Sequence, residues 1–594
     1  SATTCWVSRL AMLSANGTSR AMSTSRSSTA LSSVPLSAPS GLVFGREDQP
    51  ELRAQPAAVW DLHEGTNLLV AGRPRSGRST FLRTVAAAAL RTGEIHIYVM
   101  DCGGTLGDLA ALPHCGAVVD AGQLDRGARL LARLEALIRE RERGGGLRTL
   151  LLVDDWDTWL QTFGEVDHGT LYDALVRIAR KGPAVGVHVA VAGSGALLTS
   201  GRFRALTESS RDLLALPFAP GDHALLGIPA TAVPGDQRPG QAVRLTGRHC
   251  IVQVAVADPG VAAAAVTVRP WRVDELPDQI SVASAAALPR DSSPSSVPAG
   301  ASPSWVPAGV GGDDLRLLGV DLIAEGPGFY VTGERRSGRS TALLGIALDL
   351  LSRGTQVVIL APVRTSPLHA LSGVPGVAAI LGVRQPSVRQ AQLALAAAGT
   401  TGCVVLVDDA EHLLRGDAGT VLREFLLETD PAHLGMVVAA AVDDLAAPPP
   451  GSFAAEAGRS GAGLLLGPRQ PRAHLFNTVV KIPQAYVTAD PPGRGVLIRP
   501  RGMAPVQVPY ATTDDAAALV AARPRRVPQL LGITDALAGP APTTVPRLRS
   551  IVAELLAAGF DALEPAAATQ ALELAGAGFT GSPTELLAKV RPFS

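Results

Sequence analysis

Val70-Ala71-Gly72-Arg73-Pro74-Arg75-Ser76-Gly77-Arg78-Ser79-Thr80 is the stretch whose reading decides the fold. It follows the apolar run Leu68-Leu69-Val70 and precedes Phe81-Leu82-Arg83-Thr84-Val85-Ala86-Ala87-Ala88, which reads as a helix. Strand, glycine-rich turn and helix N-terminus in that order predict a phosphate-binding loop. Gly72 and Gly77 let the backbone wrap closely, so successive N–H groups converge on phosphate oxygens. The helix that follows adds its positive dipole end and its free amides. The cradle comprises Gly72, Arg73, Pro74, Arg75, Ser76, Gly77, Arg78, Ser79 and Thr80. Ser79 stands where a hydroxyl would ligand Mg2+, and Arg78 holds the place usually given to lysine. The same device returns at Val331-Thr332-Gly333-Glu334-Arg335-Arg336-Ser337-Gly338-Arg339-Ser340-Thr341, where Gly333 to Thr341 form the second cradle and Ser340 matches Ser79.

Each loop is followed by an apolar strand that ends in two acids. Leu150-Leu151-Leu152-Val153-Asp154-Asp155 is the first and Cys403-Val404-Val405-Leu406-Val407-Asp408-Asp409 the second. In a P-loop fold the first acid, Asp154 or Asp408, holds Mg2+ through water. The second, Asp155 or Asp409, is placed to polarise the attacking water. Further strands at Ile95–Asp101 and Val187–Ala192 alternate with helical stretches at Leu124–Glu140 and Leu171–Arg180. Apolar strands alternating with helices predict a doubly wound α/β fold, a parallel sheet flanked by helices. His188, alone in an apolar strand, reads as a core residue.

The chain has 594 residues, 46% apolar and 18% charged, a globular composition. Its 53 basic and 53 acidic residues cancel, so no global positive field marks it for nucleic acid. Almost all the basic residues are arginine, the lysines being Lys181, Lys481 and Lys589. Five scattered cysteines form no metal pair or disulfide framework, which points to a reducing cytoplasm. No run of 18 apolar residues would span a membrane. The chain opens on Ser1 rather than Met, which suggests a piece of a longer product.

Composition divides the chain further. Residues 1–40 are a Ser/Thr-rich leader without acids, expected to be disordered. Residues 41–280 form the first module, 281–312 a Ser/Pro/Ala/Gly-rich flexible linker, 313–530 a second module, and 531–594 a helical tail. The modules share a grammar. Val59-Trp60-Asp61-Leu62 is echoed by Gly319-Val320-Asp321-Leu322, Pro239-Gly240 by Pro492-Gly493, and Arg269-Pro270-Trp271-Arg272-Val273 by Arg523-Pro524-Arg525-Arg526-Val527. Offsets of 261 residues (Gly72 to Gly333) and 254 residues (Arg269 to Arg523) mark a tandem duplication.

On these residues the chain resembles the FtsK/SpoIIIE superfamily of motor ATPases, and within it the later modules of EccC-type proteins of type VII secretion. Met100-Asp101-Cys102-Gly103-Gly104 and Leu112-Pro113-His114-Cys115-Gly116 carry the likeness, together with Val153-Asp154-Asp155-Trp156-Asp157. It covers residues 43–280 well and 313–530 more loosely, because Leu360-Ala361-Pro362 replaces the Asp-Gly-Gly motif. The resemblance implies two tandem RecA-like P-loop NTPase domains that bind ATP and Mg2+. It further implies a hexamer or association with other ATPase modules, and secreted helical-hairpin proteins or a membrane secretion channel as partners. The expected location is cytoplasmic, with membrane association through an N-terminal region that this sequence lacks. Double-stranded DNA translocation is the alternative, and a non-hydrolysing interaction scaffold a third reading. Arg78 and Arg339 in place of lysine, the short second acids, and strands ending in Gly193-Ser194 and Ala441-Val442-Asp443 without a glutamine predict binding with poor hydrolysis. Arg211 and Arg472 are candidate arginines acting in trans.

Overall fold

Both phosphate loops leave the carboxyl ends of fully buried strands, β4 (Leu68–Ala71) in the first unit and β14 (Gly328–Gly333) in the second. The computed structural model describes residues 37–522 except 39–40, 65, 196–211, 218–227, 230–232, 234–237, 247–248, 258–263, 292–301, 399–401, 429–432 and 489. The chain divides into two units, Ser1–Asp274 and Glu275–Ser594. The helical tail (531–594) and nearly all of the leader (1–40) lie outside the described residues.

In the first unit the strands are β1 (Ser37–Ala38), β2 (Gly41–Asp48), β3 (Ala57–Asp61), β4, β5 (Ile95–Asp101), β6 (Cys115–Asp120), β7 (Arg148–Asp154), β8 (Val187–Gly193), β9 (Asp212–Ala215), β10 (Gln241–Leu245) and β11 (His249–Val254). They form one sheet in the order β1-β2-β11-β10-β9-β4-β8-β7-β5-β6, with β3 paired to β2. From β9 to β6 every pair is parallel, and from β10 outward every pair is antiparallel. The parallel expectation therefore holds for the half that carries the loop and the acids. The other half is antiparallel, β10 pairing with β9 and β11, and β11 with β2 from the start of the unit.

Helix α1 (Arg78–Leu90) covers one face. Ile95, Ile97 and Val99 of β5 and Leu150 and Leu152 of β7 alternate toward it and join Phe81, Leu82 and Val85 in one apolar cluster. Tyr98 and Met100 point to the opposite face. There Trp159 Nε1–H donates to Met100 Sδ at 3.1 Å, and Tyr98 stacks on Trp271 with ring centroids 4.0 Å apart. Helices α2 (Leu124–Arg141), α3 (Trp156–Thr162) and α4 (Thr170–Lys181) complete the described α-helices of this unit. His188 is fully buried with Nδ1 3.0 Å from the Thr66 carbonyl, and burial lowers its pKa to about 4, as a core histidine requires. Cys102 and Cys115 are both free thiols.

The second unit repeats this plan. Strands β12 (Trp305–Gly311), β13 (Arg316–Asp321), β14, β15 (Gln356–Leu360), β16 (Val377–Leu381), β17 (Cys403–Val407), β18 (His433–Ala441), β19 (Gly463–Leu466), β22 (Arg494–Arg499) and β23 (Gly502–Gln507) run in the order β13-β12-β23-β22-β19-β14-β18-β17-β15-β16. Phe329, Val331, Ile359 and Leu406 face one cluster, while Tyr330, Val358, Val405 and Val438 face the other. A separate hairpin of β20 (Arg472–Leu475) and β21 (Thr478–Lys481) lays Phe476 on Tyr330 at 5.0 Å. Arg472 is exposed on that hairpin, and Arg211 lies outside the described residues. The Pro-Gly echo has a shared purpose. Gln253 Nε2–H donates to Pro239 O at 3.3 Å and Gln507 Nε2–H to Pro492 O at 2.9 Å, clamping the turn into β10 and into β22.

The linker expectation needs correction. The second unit already begins at Glu275, and 281–312 contains a helix, α5 (Val282–Ala286), and all of β12. Ser281 Oγ accepts the Ser284 N–H and starts the helix. Arg290 donates to Asp349 at 2.6 Å, and the guanidiniums of Arg290 and Arg353 lie over the buried Trp305 ring. Small residues that suit a free linker also suit close packing, and composition alone does not separate the two.

Gly328 opens β14 with no room to spare: a Cβ there would lie 2.3 Å from the Ala457 Cα and carbonyl oxygen. Backbone atoms cannot swing aside as a side-chain tip can. Gly328→Ala is expected to destabilise the second unit by about 1–3 kcal/mol, read as a lower urea midpoint with amide exchange of peptides covering β14 as the local probe.

Candidate nucleotide sites

Gly77 is the N-cap of α1 at φ 103°, and Gly338 the N-cap of α6 (Arg339–Ser352) at φ 95°. Left-handed backbone costs an L side chain roughly 1–2 kcal/mol. A Cβ at either position would meet nothing within 4 Å, so it is the torsion that selects glycine. Gly72 and Gly333 are chosen by space instead, since a Cβ would sit 2.4 Å from Ser76 Oγ or Ser337 Oγ. Arg75 and Arg336 share φ values of 64° and 66°. Arg73, Pro74, Arg75 and Thr80 are exposed, as are Glu334, Arg335 and Arg336, while Thr341 is half-buried. Exposed Glu334 also pairs with Arg469 at 3.4 Å. No side chain caps α1 or α6, so their first-turn amides keep their donors for an external acceptor. Ser76 Oγ, Arg78 Nη1, Ser337 Oγ and Arg339 Nη1 are buried without a hydrogen-bond partner.

Parallel strands bring the first acid to the loop. Ser79 Oγ–H donates to Asp154 Oδ2 at 2.7 Å, and Thr105 Oγ1–H donates to the same oxygen at 3.2 Å. Burial pushes the Asp154 carboxyl above the usual carboxylate range, and the two hydroxyls offset part of that rise. Asp101 shapes the segment that delivers Thr105: its carboxylate accepts the N–H of Thr105 at 3.0 Å and of Leu106 at 2.7 Å. Arg83 grips Asp108 through two 2.6 Å hydrogen bonds and also donates to Thr105 O. Asp155 begins α3 at φ 53°, half-buried, with its Oδ2 accepting from Thr158 Oγ1 at 2.6 Å.

The second site has the same heart with different surroundings. Ser340 Oγ–H donates to Asp408 Oδ1 at 3.0 Å, and Ser366 Oγ–H donates to Oδ2 at 2.6 Å. Burial again raises the Asp408 carboxyl. It also raises Asp409, reinforced by Glu411 and opposed by Arg339. Ser366 thus takes the place of Thr105 although the Asp-Gly-Gly segment is gone. Neither hydroxyl was singled out from the sequence. Gly103-Gly104-Thr105 after an acid-ended strand was a usable signal for the first, whereas Ser366 lies farther from its strand end with no motif around it.

Among the described residues no group of three or more His, Cys, Asp or Glu side chains gathers as a metal site. The donors at each loop are hydroxyls and one carboxylate, the oxygen set of a hard cation that takes its remaining ligands from water and phosphate. Among the described residues, too, no helix is long and apolar enough to cross a membrane.

Residues 49–149 match the FtsK/SpoIIIE family. The chain is 30% identical over 260 residues to the ESX-4 secretion system protein EccC4 of Mycobacterium tuberculosis, covering 38% of this chain and 20% of that one. It is 28% identical over 357 residues to the ESX secretion system protein EccC of Thermomonospora curvata, covering 53% and 26%. It therefore spans only about a fifth to a quarter of the length of these relatives. The solved structure of Thermomonospora curvata EccC (ATPases 2 and 3) in complex with a signal sequence peptide superposes with a TM-score of 0.52 at 19% identity, over 80% of this chain and 96% of that one. Residues 49–149 of the first unit carry the FtsK/SpoIIIE match, and the chain as a whole has the tandem P-loop fold of ATPases 2 and 3 of EccC.

Proposed function

We propose that both units bind ATP with Mg2+, at Gly72–Thr80 and Gly333–Thr341, and hydrolyse it slowly as parts of a type VII-like secretion ATPase. The observation that carries this reading is the serine hydroxyl on a buried carboxylate beneath a glycine-nucleated loop, present twice. Loop amides and the buried Ser76 and Ser337 hydroxyls suit phosphate oxygens. Ser79 with Asp154 and Ser340 with Asp408 would hold Mg2+, whose charge neutralises the β- and γ-phosphates. Asp155 and Asp409 would polarise the attacking water. Thr158 already occupies one Asp155 oxygen, and the planar guanidiniums of Arg78 and Arg339 fit between phosphates less well than an ammonium. Both features favour binding over turnover. The relatives' names support a secretion role, with ATPase modules assembled together and protein cargo bearing a secretion signal as the partners.

Gly77→Val and Gly338→Val each force a branched side chain into left-handed backbone, at about 1–3 kcal/mol. Calorimetric titration of the whole chain with Mg2+ and ATP should show each variant losing about tenfold or more in affinity at its own site alone. Phosphate release should stay slow throughout. Brisk turnover would overturn the reading of the arginines, and no binding at all would leave only a scaffold.

Asp154 gives a second test through its raised pKa. A carboxyl higher in the folded than in the unfolded state costs stability fully above its folded pKa, and the cost is relieved as pH falls toward the unfolded value. Asp154→Asn removes that cost. The nucleotide-free variant should therefore melt above the parent near neutral pH, with the gap closing as the pH falls from the raised range toward 3.8. The same variant should lose Mg2+-dependent ATP binding at the first site.

A further inference from the structure

Arg78, the cation expected at the phosphates, already has an anionic neighbour. Its Nη1 lies 3.9 Å from Asp157 Oδ2, the side chains being 16% and 33% exposed. Asp157 is itself fixed: the Ser194 N–H donates to Oδ2 and the Ser194 Oγ–H to Oδ1, both at 2.9 Å. Ser194 directly follows β8, which lies between the loop strand β4 and the acidic strand β7. The carboxylate is thus tied to a strand end beside the cradle and cannot swing away when a polyanion arrives. A fixed negative charge there partly neutralises the guanidinium and repels phosphate oxygens.

The second unit lacks this arrangement. Ala71 pairs with Gly193 and Thr332 with Ala440, so the counterpart of Ser194 is Ala441, which has no hydroxyl. Asp157 follows Asp154 by three residues as Glu411 follows Asp408. Glu411 Oε2 is buried without a hydrogen bond, and among the described residues no ion pair joins it to Arg339.

We infer that Asp157, held by Ser194, is a positioning residue that draws Arg78 away from incoming phosphate and lowers the first unit's affinity for nucleoside triphosphate. The inference rests on the nucleotide reading above and adds an asymmetry: in the first site the acid three residues past the strand-end carboxylate is tethered by a serine beside the loop arginine, and in the second its counterpart Glu411 has no such tether among the described residues.

The test is calorimetric titration of the full chain with Mg2+ and ATP, in a Gly338→Val background so that the first site alone is read. Asp157→Asn keeps an acceptor for Ser194 and removes the charge. It should tighten binding about three- to tenfold, with the gain shrinking as salt is raised. Ser194→Ala, which leaves the charge but removes one of its two tethers, should give a smaller gain. In a Gly77→Val background, Glu411→Gln should leave the second site's affinity unchanged. Unchanged or weaker binding by Asp157→Asn, with the parent binding normally, overturns the restraint and makes Asp157 an ordinary structural partner of Ser194. A parent that binds no ATP at the first site overturns the nucleotide reading itself, and the restraint with it.

Discussion

A serine hydroxyl donating to a buried carboxylate ties the first turn of the loop helix to the end of the acidic strand in each unit, Ser79 to Asp154 and Ser340 to Asp408. Only a parallel arrangement allows that bond. β4 and β7 are not neighbours; β8 lies between them, paired in parallel to both. Reversing one strand would carry its end to the opposite edge of the sheet, about 20 Å away for a strand of seven residues. The strand order, the apolar faces that hide the strands and the helices that cover those faces all serve to bring one hydroxyl and one carboxylate together.

The sites sit where the fold is least at ease. Asp154 and Asp408 are desolvated carboxyls, and four polar atoms around the loops are buried without a hydrogen bond. Unsatisfied buried polar atoms cost free energy that ordinary core positions avoid. The apolar clusters around Phe81 and Leu152, and around Phe329 and Leu406, offset that cost within each unit. A site prepared for a charged ligand is in this sense stabilised by the rest of its own unit.

Much of this was legible in the sequence. Glycine, serine and helix onset at fixed spacing located both loops, and apolar runs ending in paired acids located the strands that face them. These features are local, and local sequence records them. The hydroxyls of Thr105 and Ser366 and the pairing of Asp157 with Ser194 depend on which strands become neighbours, which spacing along the chain does not encode. The segment from Ser281 to Gly312 misled for another reason. Its serines, alanines and glycines match a free linker in composition, yet Trp305 and Arg290 anchor it to the second unit through contacts with distant Asp349 and Arg353.

The glutamine clamps on Pro239 and Pro492 lie in the antiparallel half of each sheet, and they persist in both units although the loop surroundings have diverged. The chain therefore carries its own matched pair. Backbone plan, strand order and clamp are held constant between the two copies, while Thr105 against Ser366 and Ser194 against Ala441 vary. Because the strand order is shared, differences between the two loops trace to what surrounds them, Thr105 against Ser366 and Ser194 against Ala441 among them.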